Sequence, residues 1–244
     1  MAATIIAAVD GSAAALQAAR LLAGYRGDPQ RVALSALNVQ PRPLTLWPGP
    51  AIDARKVDDA LLAQGSRELA PACKLLAEAG LAPEAGVRLG VPAAWIAEEA
   101  ARRSAALIVI GTRGHGPVGG FALGSVALRV AHRAQTPTLL VQADSRLPQD
   151  LGRSLRVLVP LDGSSQAARA VSFLLAAREW LGEIRVALAH VRPIDPRHHG
   201  VVLGAKRGRG HERRGHREHG KASAGGRRAG EKRQQFHEAI LGPG

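Results

Sequence analysis

Five short apolar runs alternate with helix-spaced segments through the first 145 residues, and this alternation narrows the possible folds more than any other feature. TIIAAVD (Thr4 to Asp10) precedes AAALQAARLLAGY, with Ser12 placed to cap that helix. RVALSALNV (Arg31 to Val39) is a second strand, followed by the proline-rich QPRPLTLWPGP. Asp53 to Gly80 has helical spacing, and Pro71 is expected to kink or split it. PEAGVRLG is a weak third strand, and PAAWIAEEAARRS is a helix opened by Pro92. ALIVI (Ala106 to Ile110) is the fourth strand, a helix runs from Gly124 to about Ala134, and TPTLLVQA is the fifth strand. Apolar strands alternating with helices imply a parallel sheet covered on both faces, an α/β fold.

The chain then repeats itself. RVLVPLDGSSQAARAVSFLLA (Arg156 to Ala176) resembles TIIAAVDGSAAALQAARLLAG from Thr4, and Asp162 follows Asp10 by 162 − 10 = 152 positions. At that offset Val39 falls on Val191 and Pro41 on Pro193. The copy stops near Pro196, so it holds only strand, helix and strand. The reading is a complete domain over 1–145, a linker over 146–154, a partial βαβ repeat over 155–196 and a tail over 197–244. How so short a repeat packs is open, because about 40 residues cannot build a core alone.

Between the fourth strand and the next helix lies GTRGHGPVGGFALGS, residues 111–125. Gly114-x-Gly116-x-x-Gly119 matches the dinucleotide fingerprint, which leaves a NAD-type site open. That fingerprint normally follows the first strand and enters a helix directly; here it follows the fourth and contains Pro117. No GxxxxGK[ST] is present, so P-loop chemistry lacks its lysine.

A sparser spacing fits better: Gly111, two residues, Gly114, nine residues, Gly124-Ser125. It resembles the ATP-binding signature of the universal stress protein family, GxxGx9G[S/T]. VDGS, GVPAAWIAEEA, ALIVIGTRGHG and TPTLLVQ also fall where that family would have them, over residues 1 to about 145. Ala105-Ala106 departs from the acidic residue often found there. The resemblance implies an open five-stranded parallel sheet in the order 3-2-1-4-5. In that order strands one and four leave the sheet in opposite directions, and ligands bind at such a switch point. It also implies contacts to an adenine nucleotide at Ala8, Val9, Asp10, Val39, Gly111, Thr112, Arg113, Gly114, His115, Gly124, Ser125 and Val126. Glycines 111 and 114 would let backbone approach phosphates, and amides of Gly124, Ser125 and Val126 would point at them from a helix N-terminus.

The implied function is an ATP-binding stress-response protein, with Mg²⁺ on the phosphates and little or no catalysis. A slow adenine-nucleotide hydrolase and a non-binding interaction module are also compatible with these residues. Asp162 has no second glycine loop and is not expected to bind nucleotide. The family pairs domains through its fifth strand, so a homodimer through Pro137 to Gln142 is expected. The single cysteine, Cys73, fits a reducing cytoplasm, and MAATIIAAVD reads as a strand because Asp10 interrupts its apolar run. No apolar run is long enough for a membrane span.

Net charge is +13, but Arg197 to Gly244 holds twelve Lys/Arg and four Asp/Glu, leaving 13 − 8 = +5 for the rest. This tail is expected to be disordered. Nucleic-acid binding is expected only through it, by phosphate contacts. Its abrupt Arg, Gly and His richness also resembles an out-of-frame reading of GC-rich codons. His211, His216 and His219 sit among cations without cysteine, so no metal site is expected.

Overall fold

The computed structural model describes residues 2–42, 53–112, 123–148 and 151–190. The expectations for the tail and for Arg113, Gly114 and His115 fall outside these residues. Seven strands and five α-helices are described: β1 (Ala3–Ala8), α1 (Ala13–Ala23), β2 (Val32–Gln40), α2 (Ala54–Glu78), β3 (Glu84–Leu89), α3 (Pro92–Arg102), β4 (Leu107–Gly111), α4 (Ser125–Arg133), β5 (Thr138–Val141), β6 (Ser154–Leu161), α5 (Ser165–Leu181) and β7 (Glu183–His190). The first five strands form one parallel sheet in the order β3-β2-β1-β4-β5. None of the described helices is long and apolar enough to cross a membrane.

The period-2 alternation of strand side chains feeds two separate cores. Ile6, Ala8, Leu37, Ile108 and Ile110 point to one face, where Ala93, Ile96 and Ala100 of α3 and Ala127 and Val130 of α4 cover them. Val9 and Ala36 point to the other, beneath Ala15 and Ala19 of α1 and Leu69 and Ala72 of α2. With so few aromatic residues, close approach of alanine-faced helices fills these cores.

Pro71 does not split α2, which runs unbroken from Ala54 to Glu78. The reason is its position. Pro71 and Arg67, whose carbonyl loses its partner, both lie on the exposed side, so water can satisfy that carbonyl. Gly65, Leu69, Ala72 and Leu76 bury the opposite stripe and hold the two halves in line.

Residues 154–190 repeat the strand register, turn and helix cap of the first βαβ unit, although α5 spans 17 residues and α1 only 11. β6 pairs with β7 from Leu155↔Ile184 to Pro160↔Ala189, and β1 pairs with β2 from Ala3↔Val32 to Ala8↔Leu37, the same register shifted by 152. Gly11 and Gly163 take φ of 76° and 82° in the two turns. Ser12 and Ser164 each accept the amide three residues on, at 3.2 Å. The segment packs on the first sheet's α1–β2 connection. The Tyr25 hydroxyl donates to the Trp180 carbonyl at 2.8 Å, Arg31 Nη1 donates to the Glu179 carbonyl at 2.7 Å, and the Arg26 amide donates to the Leu151 carbonyl.

What the copy lacks is cover. Leu158 is 67% exposed, whereas its counterpart Ile6 is fully buried under α3 and α4. Val186 and Leu188 are likewise exposed where Leu34 and Ala36 are buried.

An ion network ties α3 to β3. The guanidinium of Arg102 donates twice to Glu99, Arg103 Nε donates to Glu99 Oε1 at 2.6 Å, and Arg103 also donates to both oxygens of Glu84. The Glu99 side chain is only 7% exposed. Hydrogen bonds from Arg102 lead in holding its carboxyl down at about 2; burial opposes them and Arg103 reinforces them. A carboxyl lowered on folding stabilises above its unfolded value, about 4.5, and loses that contribution as pH falls towards 2. Glu99→Gln is therefore expected to cost about 1–3 kcal/mol at neutral pH, discounted for the exposure of Arg102. Denaturation from pH 7 to 2 should show the variant's acid limb flattened; superimposable curves would remove Glu99 from the stability account.

Candidate functional site

β1 ends at Ala8 and β4 at Gly111, side by side in the sheet, and the chain leaves them in opposite directions. A cavity of about 740 Å³ opens at this switch point. Nine of the twelve predicted site residues line it: Ala8, Val9, Asp10, Val39, Gly111, Thr112, Gly124, Ser125 and Val126. The other three, Arg113, Gly114 and His115, lie outside the described residues. A larger cavity of about 1060 Å³ lies between the two repeats; it is mainly apolar and holds none of the nine that are described.

Backbone bonds fix the rim. The Thr112 amide donates to the Val141 carbonyl at 2.8 Å, extending the β4–β5 ladder, and the Thr112 carbonyl accepts the Gly124 amide at 2.6 Å. That second bond ties the start of α4 to the end of β4, on either side of the glycine loop. It also corrects one expectation, because the Gly124 amide is occupied and does not point at a ligand. The first α4 bond runs from the Leu128 amide to the Gly124 carbonyl at 2.9 Å. The amides of Ser125, Val126 and Ala127 therefore precede any intrahelical bond and form the positive end of the helix.

Two further residues have reasons that differ from the sequence reading. A Cβ on Gly111 would come within 2.7 Å of the α1 backbone at Ala14 and Ala15. Glycine there is required for α1 to pack on β4, whatever binds nearby. Asp10 accepts the Ser12 amide at 3.0 Å, and Asp162 accepts the Ser164 amide at 2.8 Å. The aspartate turn thus forms in both repeats and belongs to the βα unit itself. Val9 presents surface rather than polar groups: its amide donates to the Leu37 carbonyl, and its own carbonyl accepts from Asn38.

The wall has two characters. Pro92, Ile96, Ile110, Leu123 and Val39 make an apolar side towards α3 and α4. Gln40, Gln64, Glu68 and Asp10 make a polar side towards α2. Sequence reasoning missed the α2 contribution. Glu68 Oε2 accepts from Asn38 Nδ2 and Gln40 Nε2, both at 2.8 Å, and Oε1 accepts from Gln64 Nε2 at 3.0 Å. Gly65 permits this approach, since a Cβ there would come within 2.6 Å of Asn38 Oδ1. No Lys, Arg or His occurs among the described lining residues. Nor is there a cluster of three metal-ligating side chains among the described residues.

Residues 1–142 match the model described as Universal stress protein family. A universal stress protein of Mycolicibacterium smegmatis is 47% identical over 51 residues, which are 21% of this chain and 17% of that protein. The alignment thus spans under a fifth of that relative's length. A solved universal stress protein from Archaeoglobus fulgidus is 20% identical, with 80% of this chain and 69% of that chain covered and a TM-score of 0.59, a likeness of fold. A universal stress protein in complex with cAMP is 24% identical over 58% of this chain and 98% of that chain, with a TM-score of 0.44.

The Gly111 geometry separates packing from binding. Gly111→Ala is expected to destabilise the ligand-free protein by about 1–3 kcal/mol, because the α1 backbone cannot yield as a side chain would. Thermal unfolding without ligand checks this, and an unchanged midpoint would contradict the packing requirement.

Proposed function

Because the chain belongs to the universal stress protein family, matched over residues 1–142, we propose that it is an ATP-binding regulatory protein of the stress response, with Mg²⁺ on the phosphates. The observation that carries this reading is that nine of the twelve residues the resemblance implies line one cavity at the switch point. The cavity's volume, about 740 Å³, lies within the usual range for small-ligand sites. The phosphates sit over the N-terminus of α4, against the amides of Ser125 and Val126, with the Ser125 hydroxyl as a further donor. Adenine lies against Val39 and the apolar side, and Asp10 lies by the adenosine. Mg²⁺ accompanies the phosphates, as it does for nucleotide phosphates generally.

Turnover is expected to be slow, since no general base stands out among the described lining residues. The protein is read as a tandem member whose second unit is incomplete, acting in the cytoplasm. A homodimer forms through β5. That reading is supported by β5 standing at the sheet edge with Leu139 and Leu140 exposed.

Calorimetric titration of the full chain with ATP, AMP and NAD, with and without Mg²⁺, tests the ligand. ATP with Mg²⁺ is expected to bind, NAD is not, and Gly114→Val should weaken ATP at least about tenfold. Preference for NAD would replace the reading with a dinucleotide site; undiminished ATP binding by the valine variant would overturn the phosphate placement. Sedimentation equilibrium should report a dimer that Leu140→Lys dissociates, and a stable wild-type monomer would refute the β5 pairing.

A further inference from the structure

Glu68 is the one carboxylate in the described wall that neighbouring amides hold from three sides. Asn38 and Gln40, which anchor Oε2, are 1% and 6% exposed, so the donors are set in the sheet and not in solvent. Asn38 Nδ2 also donates to the Val9 carbonyl at 2.8 Å, and Gln40 Nε2 also donates to Asn38 Oδ1 at 2.9 Å. The network therefore roots Glu68 in the ends of β1 and β2. Its stem lies on the turn after β1, where a Cβ on Gly11 would come within 3.0 Å of Glu68 Cγ. Among the described residues no cation pairs with it.

A carboxylate offers about four acceptor positions, and the amides take three. The remaining one, on Oε1, is open to water or to a donor on whatever enters the cavity. A phosphate has none to offer at neutral pH and is repelled. Resting on the nucleotide reading above, the choice narrows to the base amine and the ribose hydroxyls. The flat apolar wall of Val39, Ile96 and Ile110 lies towards α3, and the helix N-terminus at Ser125 lies at the start of α4. A base on the first and a phosphate on the second leave the sugar between them, facing the α2 side. We infer that Glu68 is a specificity-determining residue that accepts a hydrogen bond from a ribose hydroxyl, so that the site selects ribonucleotides over their deoxy counterparts. Asn38, Gln40 and Gln64 act as positioning residues for it.

The test compares ATP, 2′-deoxy-ATP and 3′-deoxy-ATP, each with Mg²⁺, by calorimetry on the full chain and on Glu68→Gln and Glu68→Asp. A hydrogen bond to a fixed charge predicts that the wild type prefers ATP over at least one deoxy analogue by about ten- to hundredfold. Both variants should shrink that ratio to about twofold by losing ATP affinity while keeping that analogue's affinity. Retained analogue binding shows that the variant is folded. A wild type that binds all three alike, or a ratio that survives both substitutions, overturns the assignment and leaves ATP binding standing. Equal loss of all three ligands in both variants assigns Glu68 to structure alone and also overturns it. A wild type that binds none of the three refutes the nucleotide reading itself.

Discussion

The carbonyl of Thr112 accepting the amide of Gly124 at 2.6 Å is the joint on which the site depends. The Thr112 amide donates on the other side to the Val141 carbonyl, which belongs to the sheet, so Thr112 is fixed to β5 before it holds α4. The consequence is directional. The positive end of α4 is set beside the end of β4, next to the end of β1, at the one place where neighbouring strands part company. Parallel strands alone would leave a crevice there. This bond supplies the crevice with a fixed dipole and closes the glycine loop at its base.

The two repeats separate what makes a βα unit from what makes a site. Strand, Asp-Gly-Ser turn, capped helix and parallel partner are built twice in one register, down to the sign and size of φ at Gly11 and Gly163. The difference lies in what surrounds the glycine. A Cβ on Gly11 would strike Glu68 of α2, whereas one on Gly163 would meet open space. The same absence exposes Leu158, Val186 and Leu188, which occupy positions that are buried in the first copy. Local sequence is thus sufficient for the turn, and long-range packing is required for the cavity.

That distinction also explains what was legible in the sequence. Element boundaries and the Ser12 cap rest on short-range patterns, and β1 to β5 with α1, α3 and α4 follow them closely, whereas the strand order is what the family resemblance implies. That Pro71 does not split α2 is beyond a propensity argument, which cannot see that its side of the helix faces water. The packing role of Gly111 is not legible in the glycine spacing, which does not reveal the α1 backbone 2.7 Å from where a Cβ would lie. The Asn38, Gln40 and Glu68 network escaped because its members lie 28 to 30 residues apart. A signal was nevertheless present: Asn38 and Gln40 alternate at the end of a mainly apolar strand, and two amides on one buried face require partners.

Charge in the molecule is distributed against intuition for a phosphate site. Of the net +13, +8 belongs to residues 197–244, while the described cavity wall carries Asp10 and Glu68 and no cation. Long-range attraction of an anion is therefore a property of the chain, not of the pocket, and salt screens it within about 10 Å. Along the described wall an anion would meet carboxylates on the α2 side and amide dipoles at α4. The carboxylates of the described wall thus disfavour an anion on the α2 side, and the amide dipoles at the start of α4 favour one there, so the described part of the cavity has a fixed electrostatic direction.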